Sequence, residues 1–230
     1  MKGQTKWFFY PGFTLSTGGL LRAHKPPQDL KAPNASPPYW VLFCYEPKAL
    51  SDLIQQISLR KPGVTLKVTA GRAQAAVRME LENRGFEMTP DTQLVELGES
   101  QIEFLPYLSQ SDFDDLLAQS ELNFVRGEDS WVRAIWAQKP FVWQIYPQSD
   151  QAHESKLMAF LSRFKAPQSL VEAHLHWNDL SKATLAALSP QVLLEWRQWS
   201  ESLCELLSKN PELGTALEHF VTQKRSQADT

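Results

Sequence analysis

The sequence has 230 residues, of which 43% are hydrophobic and 21% are charged, so it carries enough apolar material for one main core. Its formal net charge of -3 gives no general electrostatic case for binding nucleic acid or an anionic membrane, and we expect neither partner. The apolar runs are too short for a membrane span, and no signal-peptide pattern stands out. The sequence therefore predicts a cytoplasmic protein in which Cys44 and Cys204 are buried, free thiols.

Changes in composition divide the chain into segments. Residues 1–22 combine an aromatic cluster with Pro-Gly and Gly-Gly pairs, which is typical of the end of another unit. Residues 23–38 hold five prolines among polar residues. This composition indicates a linker, because proline lacks a backbone donor and favours extended conformations around it. An unbroken apolar run begins at Tyr39, and we expect the main domain over 39–209 and a terminal helix with a tail over 210–230.

Strand-like and helix-like segments alternate from Tyr39 to Pro147, and the pattern is helical after that. The predicted strands lie near 39–45, 64–69, 93–104, 122–126 and 140–146. The predicted helices lie near 47–59, 71–83, 111–119, 130–138, 152–164, 167–176, 190–208 and 211–224. This alternation predicts an α/β fold, a parallel sheet with helices on both faces, followed by a helical carboxyl-terminal segment. Such sheets bind ligands at the carboxyl ends of their strands.

The most informative segment is 122–146, a predicted strand, short turn, helix and second strand. Gly127 permits a tight turn, and a helix beginning near Ser130 directs unpaired N–H groups toward the strand ends. Those donors suit a diphosphate. Arg126 adds a planar, two-pronged contact to phosphate oxygens that lysine cannot reproduce. The segment therefore predicts a phosphate site at the end of its first strand.

The two carboxylates of this turn need another explanation, because they repel a diphosphate unless they point elsewhere. Asp129 suits the N-cap of the following helix. Glu128 is expected to accept hydrogen bonds from sugar hydroxyls. The alternative is that Arg126 and Glu128 form a surface ion pair beside an ordinary capped turn, which contributes little to stability.

A close resemblance to the signature of the elongation factor P arginine rhamnosyltransferases covers residues 122–164, LNFVRGEDSWVRAIWAQKPFVWQIYPQSDQAHESKLMAFLSRF. Further blocks resemble that family in the same order: PGFTLSTGGLL at 11–21, LFCYE at 42–46 and FLPYLSQSDFDDLL at 104–117. The resemblance implies the Rossmann-like, donor-nucleotide-binding, carboxyl-terminal half of a GT-B glycosyltransferase. It also implies dTDP-β-L-rhamnose as the donor and translation elongation factor P as the acceptor.

Carried onto matching positions, the resemblance implies donor-nucleotide-binding roles for a set of residues around these blocks. They are Phe43, Tyr45, Tyr107, Arg126, Gly127, Glu128, Asp129, Ser130 and Tyr146. Arg126 and Glu128 are the implied catalytic residues, and Arg126 stabilises the leaving diphosphate. The rings of Phe43, Tyr45 and Tyr107 are expected to hold the thymine ring. The alternative for these aromatic side chains is ordinary core packing.

Attaching a sugar to arginine requires a guanidinium nitrogen to attack the anomeric carbon as the nucleotide leaves. Because guanidinium is cationic, with a pKa above about 12, carboxylates must orient it and disperse its charge. The resemblance implies inversion without a metal or cofactor, and it puts those carboxylates in an amino-terminal domain. Residues 1–22 match the end of that domain. The chain thus resembles an enzyme without roughly its first third, and we expect it to bind the donor but to transfer little or nothing alone.

Two other functions remain open from the sequence: a non-catalytic nucleotide-binding or interaction module, and a GT-B transferase that uses another nucleotide sugar. Outside the site, His174 and His176 are two residues apart, a spacing that puts them on different helix faces and does not suit a shared metal site. They are expected to be scattered surface residues instead. The apolar stripe of the helix at 190–208 is expected to face the core. Its members are Val192, Leu193, Trp196, Trp199, Leu203, Leu206 and Leu207. Partial exposure is expected for Leu213, Leu217 and Phe220.

Overall fold

The computed structural model describes residues 6–14, 16–22, 38–147, 152–182 and 184–228. The strands are β1 (Tyr39–Leu42), β2 (Thr65–Val68), β3 (Leu94–Leu97), β4 (Ser100–Phe104), β5 (Leu122–Arg126) and β6 (Phe141–Gln144). The helices are α1 (Leu50–Leu59), α2 (Arg72–Asn83), α3 (Gln110–Gln119), α4 (Gly127–Ala137), α5 (Ala152–Arg163), α6 (Gln168–Trp177), α7 (Pro190–Ser208) and α8 (Leu213–Ala228). The predicted linker at 23–38 lies outside the described residues except for Pro38. The domain boundaries inferred from composition stay predictions.

The strands form one sheet in the order β3-β4-β2-β1-β5-β6, and every neighbouring pair from β4 to β6 is parallel. The edge strand β3 pairs antiparallel with β4, so the expectation of a wholly parallel sheet is wrong at this edge. The physical reason is the connection: Gly98, at φ +64, and Glu99 join the two strands directly. A parallel pair needs a crossover of a dozen or more residues, whereas two residues suffice for a hairpin.

The middle of the sheet is covered on both faces. Most residues of β1, β5 and β6 are buried, which matches their largely apolar sequences. In contrast, exposed and buried residues alternate along β3, as expected of an antiparallel edge with one face toward solvent. Helix α4 packs against β5 and β6, and α6 packs against β6. The predicted α/β fold is confirmed.

Helix α7 buries the predicted apolar stripe with one exception. Leu193, Trp196, Trp199, Leu203 and Leu207 are buried, and Val192 packs partly buried against the same core. The exception is Leu206, whose side chain is 52% exposed, so its assignment to the core-facing stripe was wrong. On a helix Leu206 stands about 100° away from Leu207, just beyond the buried stripe.

The amino-terminal segment packs against the last two helices. Leu20 forms a parallel bridge with Glu212, and the Phe9 ring lies 5.2 Å from the Phe220 ring. The Arg22 guanidinium donates to the carbonyls of Ser208 and Asn210, at 2.7 Å each. In α8, Leu217 is exposed while Leu213 and Phe220 are half-buried, so the expected partial exposure of these three residues is confirmed.

Two further expectations concern side chains outside the cleft. Cys44 and Cys204 are buried and free, as predicted. The prediction that His174 is a surface residue is wrong, because it is fully buried between α6 and β6. His176 is half-buried, with its Nε2 2.9 Å from Oδ2 of Asp52. Among the described helices, none has the length and apolar character that a membrane span requires.

Candidate functional site

A cleft of about 880 Å³ opens where β1, β2, β4 and β5 reach their carboxyl ends. Its lining residues lie within four segments, 43–45, 69–72, 106–113 and 126–133. Eight of the nine site residues predicted from the sequence line this cleft, and the ninth, Tyr146, lies in an adjoining pocket. The position at the strand ends is the one that parallel sheets use for ligands. The roles of these residues stay predictions.

Arg126 ends β5 and forms the centre of the cleft. Its guanidinium carbon lies 4.4 Å from the centre of the Phe43 ring and 4.5 Å from that of the Tyr45 ring, so two aromatic rings hold one cation. Its Nη1 is buried and has no hydrogen-bond partner among the described residues. Within that part of the chain no salt bridge joins Arg126 to Glu128, so the surface ion pair considered as an alternative is not formed. A buried N–H without an acceptor favours an anionic ligand.

The two aromatic residues after β1 are fixed by backbone hydrogen bonds. The N–H of Phe43 donates to the Phe124 carbonyl at 2.8 Å, which extends the pairing of β1 with β5. The N–H of Tyr45 donates to Oε1 of Gln144 at 2.7 Å, and Gln144 is the buried last residue of β6. The backbone of the two aromatic residues beside Arg126 is therefore tied to β5 and to β6.

The start of α4 forms the floor of the cleft beside Arg126. Gly127 has φ +66, and a Cβ at this position would lie 3.3 Å from the Tyr45 hydroxyl, so glycine suits both the backbone and the space. The Ser130 hydroxyl donates to the Arg126 carbonyl, and the indole of Trp143 donates to the Gly127 carbonyl at 2.7 Å. No side chain of the described residues caps the helix start. Its first N–H groups therefore lack a side-chain acceptor, as an anion site requires.

The prediction that Asp129 caps this helix is wrong. The helix begins at Gly127 rather than near Ser130, so Asp129 lies inside its first turn. Its carboxylate instead accepts from Nε of Arg133 at 2.8 Å, and Nη1 of Arg133 reaches both oxygens of Asp114 in α3 at 2.8 Å. Arg133 thus joins the two helices that face each other across the cleft. The Asp129 side chain remains 66% exposed at the cleft edge.

Glu128 is exposed and lies between two cavities. It lines the main cleft and also a groove of about 630 Å³ on the other side of α4, where Trp131, Trp143 and Phe160 supply apolar walls. The Trp131 and Trp143 rings stack at 4.1 Å. The carboxylate of Glu128 therefore stands where the polar cleft meets an apolar groove.

Tyr107 and Tyr146 present free ring surfaces. Tyr107 is 87% exposed on the rim of the main cleft, and Tyr146 is 61% exposed. Tyr146 follows the last strand by two residues and meets Tyr45 edge to face, with ring centres 5.8 Å apart. Core packing is thus excluded for Tyr107 and Tyr146, while Phe43 and Tyr45 are half-buried. These four rings line the cleft and its adjoining pocket, where a nucleotide base could stack.

The Cys44 thiol, close to Arg126, is not a nucleophile. Burial raises the pKa of the Cys44 thiol to about 12, although the nearby Arg126 lowers it in part. The thiol is therefore neutral and unreactive at physiological pH. Within the described residues, no group of three His, Cys, Asp or Glu side chains is arranged to hold a metal ion.

Comparison with known proteins identifies the family of this chain. The family model described as Elongation-Factor P (EF-P) rhamnosyltransferase EarP matches residues 25–222. The chain belongs to this family. It is similar to the protein-arginine rhamnosyltransferase of Pseudomonas putida, with 34% identity over 95% of this chain and 64% of the relative. It is also similar to that of Pseudomonas aeruginosa, with 33% identity over 95% of this chain and 64% of the relative.

A solved structure is also similar to this chain. The structure comes from work on the structural basis for EarP-mediated arginine glycosylation of translation elongation factor EF-P. It has 30% identity and a TM-score of 0.75, covering 94% of this chain and 76% of that chain. The chain spans 64% of the length of the curated EarP-family relatives from Pseudomonas that it matches. The family match includes all six strands and every residue that lines the main cleft.

Arg72, Phe113 and Arg133 are among the cleft residues that the sequence did not single out. The Phe113 ring packs against Phe43 at 5.4 Å, and Arg133 joins Asp114 to Asp129. Arg72 carried a usable signal, because it follows a glycine at the point where a helix begins after a buried strand, as Arg126 precedes one. Phe113 and Arg133 carried none, since Phe113 meets Phe43 and Arg133 meets Asp114 only through the packing of different elements.

Proposed function

We propose that this chain supplies the donor-nucleotide-binding part of a protein-arginine rhamnosyltransferase. The enzyme transfers rhamnose from dTDP-β-L-rhamnose to an arginine of translation elongation factor P, with inversion. The observation that carries the proposal is Arg126, a guanidinium held between two rings with one buried N–H unsatisfied, beside an uncapped helix start. Membership of the EarP family supports the choice of reaction.

The charge that develops on the leaving diphosphate meets two fixed sources of positive potential. Arg126 donates two parallel hydrogen bonds to phosphate oxygens, and the first N–H groups of α4 complete the site. Both are in place before the donor arrives, so little reorganisation accompanies bond cleavage. The tyrosine rings at positions 45, 107 and 146 provide surfaces for the thymine ring. The transfer needs no metal in this scheme, because Arg126 and the helix start balance the leaving-group charge.

Glu128 lies where the transferred sugar and the acceptor approach each other. Its carboxylate is exposed between the cleft and the apolar groove, so it can accept hydrogen bonds from a sugar hydroxyl or from a guanidinium. In the inverting displacement, a guanidinium nitrogen forms a bond to the anomeric carbon while the bond to the diphosphate oxygen breaks. A carboxylate takes up the proton that the nitrogen loses. We assign to Glu128 the orientation of the reacting groups.

Calorimetric titration with dTDP tests the core of this proposal. We expect the unchanged chain to bind dTDP and Arg126→Ala to bind it about 10- to 100-fold more weakly, as expected for loss of a charged hydrogen-bonding group. Arg225→Ala, which removes an exposed arginine from α8, is the matched control and should bind normally. Equal affinity of Arg126→Ala and the unchanged chain would falsify the diphosphate site.

Two further measurements separate the donor and the reaction from simple nucleotide binding. In a thermal-shift series, dTDP-rhamnose should stabilise the chain more than UDP-sugars do, and stabilisation by UDP-sugars alone would rule out the rhamnosyl assignment. Mass spectrometry of elongation factor P after incubation with dTDP-rhamnose reports transfer. Product formed by this chain alone would contradict the expectation that transfer needs carboxylates beyond those of the cleft.

A further inference from the structure

A second arginine, Arg72, stands at the edge of the cleft and is held there by a carboxylate. Its Nε donates to Oε1 of Glu46 at 2.8 Å and its Nη2 to Oε2 at 2.5 Å, a two-pronged ion pair. The two side chains are 54% and 46% exposed. Ion pairs this exposed contribute little to stability, so exchange of the carboxylate for another anion is not costly.

Arg72 and Arg126 approach the same tyrosine. The Arg72 guanidinium carbon lies 5.0 Å from the centre of the Tyr45 ring, and that of Arg126 lies 4.5 Å from it. Arg72 lines both the main cleft and the adjoining pocket of about 220 Å³ that contains Tyr146. The two cations therefore flank one aromatic side chain where the two cavities meet. An anion that reaches Arg126 comes within the field of Arg72 as well.

The position of Arg72 in its helix is electrostatically unfavourable. It is the first residue of α2, directly after Gly71 at φ +91, and the first turn contains no acidic residue. Cations are disfavoured at helix amino termini because the helix dipole is positive there. In this structure Glu46, from the segment after β1, supplies the missing negative charge. The hydrogen bond from Arg72 lowers the pKa of Glu46, which is therefore ionised at neutral pH.

We propose that Arg72 is a second ligand of the donor's diphosphate, and that it exchanges Glu46 for a phosphate oxygen when the nucleotide enters the cleft. The exchange makes the site selective for the number of phosphates. A nucleoside monophosphate brings one phosphate group, which Arg126 and the start of α4 satisfy. A diphosphate offers a second group, whose charge is sufficient to displace the carboxylate. This inference rests on the proposed function, since it requires a nucleoside diphosphate in the cleft.

Glu46 has a defined part in this exchange. As a carboxylate beside a phosphate site it repels the ligand, and it also occupies the donors of Arg72. Removing its charge while keeping its shape therefore frees Arg72. If the pair were only structural, loss of either partner would have the same effect on binding. We therefore expect loss of Arg72 to weaken binding of the nucleoside diphosphate and loss of the Glu46 charge to tighten it.

The test is a set of calorimetric titrations with dTDP and dTMP. Arg72→Gln should weaken dTDP binding about tenfold and dTMP binding less than about threefold, because only the second phosphate loses a charged ligand. Glu46→Gln should tighten dTDP binding about threefold, since a repulsive charge is removed. Lys48→Gln removes a positive charge from an exposed residue two positions from Glu46 and outside the cleft, and it should leave both affinities within about twofold.

The outcomes separate this inference from the proposed function. If the unchanged chain binds dTDP and Arg72→Gln binds it equally well, Arg72 is not a ligand, although the diphosphate site stands. If Glu46→Gln weakens dTDP binding as much as Arg72→Gln does, the pair is structural and the exchange is rejected. Failure of the unchanged chain to bind dTDP overturns both proposals. Circular dichroism of each variant confirms that the fold is retained, as expected for an exposed pair.

Discussion

Two polar side chains near β5 and β6, each with a buried nitrogen atom, differ in how completely their hydrogen bonds are satisfied. Arg126, at the cleft, keeps a buried Nη1 without a partner among the described residues. His174, behind β6, has both ring nitrogens engaged: Nε2 accepts from the Trp143 N–H at 3.0 Å, and Nδ1 lies 2.9 Å from the Leu170 carbonyl. Only the neutral ring with its proton on Nδ1 serves both partners. Arg126 therefore keeps a nitrogen available to a ligand, whereas both ring nitrogens of His174 already have partners.

The region around His174 completes an edge of the sheet. In the part of the chain that the structure describes, strand β6 has β5 on one side and no strand on the other. Side chains of α6 and of the residue after it replace the missing strand: Asn178 accepts from the Ile145 N–H at 2.9 Å and donates to the Trp143 carbonyl at 2.8 Å. Covering an edge strand in this way prevents unwanted pairing. Of these two side chains, the satisfied His174 supports the fold, whereas the unsatisfied Nη1 belongs to a residue that lines the cleft.

The largest expected effect tests the supporting region. His174→Ala should lower the free energy of unfolding by about 3 kcal/mol, because it leaves the Trp143 N–H without an acceptor and opens a cavity. Urea unfolding at pH 7.5 measures this loss, and the folded fraction should still bind dTDP normally. His219→Ala, an exposed histidine of α8, is the control and should change stability by less than about 0.5 kcal/mol. If His174→Ala lost dTDP affinity without losing stability, His174 would belong to the ligand site rather than to the supporting region.

A second effect of similar origin depends on pH. Burial lowers the pKa of His174 from its ordinary value of 6.5 to about 4. The unfolded chain therefore takes up a proton near pH 6.5 that the folded chain does not accept until about pH 4. Stability from this group is complete above about pH 6.5 and is lost as the pH falls toward 4, by about 2 kcal/mol at pH 5.

Urea unfolding of the unchanged chain and of His174→Gln at pH 7.5 and pH 5 isolates this contribution. Glutamine does not titrate, so the variant should lose less stability than the unchanged chain between the two pH values. Equal losses would show that other groups cause the acid sensitivity.

Local sequence was sufficient to predict the unit from β5 to β6, and the reason is visible in its residues. Apolar runs give the two strands, the change of pattern after Gly127 gives the helix, and Arg126 ends its strand as expected. The boundary of α4 was missed because two residue types in RGEDS suit a helix start. Aspartate is a good N-cap, but Gly127, at φ +66, lets the helix begin two residues before Asp129. The carboxylate of Asp129 then forms an ion pair with Arg133.

Most of the remaining errors and omissions concern pairings between elements. Nothing near His174 indicates that β6 will present an unpaired N–H to it, so a helical spacing alone made it a surface residue. Glu46 and Arg72 are 26 residues apart and meet only because β1 and β2 are neighbours in the sheet. The antiparallel edge at β3 was indicated by the short Gly98 turn, but alternation of strands and helices favoured a parallel sheet. Pairings between elements decide these features, and one element's pattern does not contain them.

The smallest expected effect is on dTDP affinity, and it comes from changing a ring beside Arg126 while keeping the cation itself. Tyr45→Leu removes the aromatic face beside Arg126, and we expect dTDP binding to weaken about fivefold, which corresponds to a cation–π contact of about 1 kcal/mol. Tyr45→Phe keeps that face and removes only the hydroxyl, so its affinity should stay within about twofold. Calorimetric titration with dTDP measures both, and urea unfolding should show both variants near the stability of the unchanged chain. A larger loss for Tyr45→Phe than for Tyr45→Leu would mean that the hydroxyl, rather than the ring, positions Arg126.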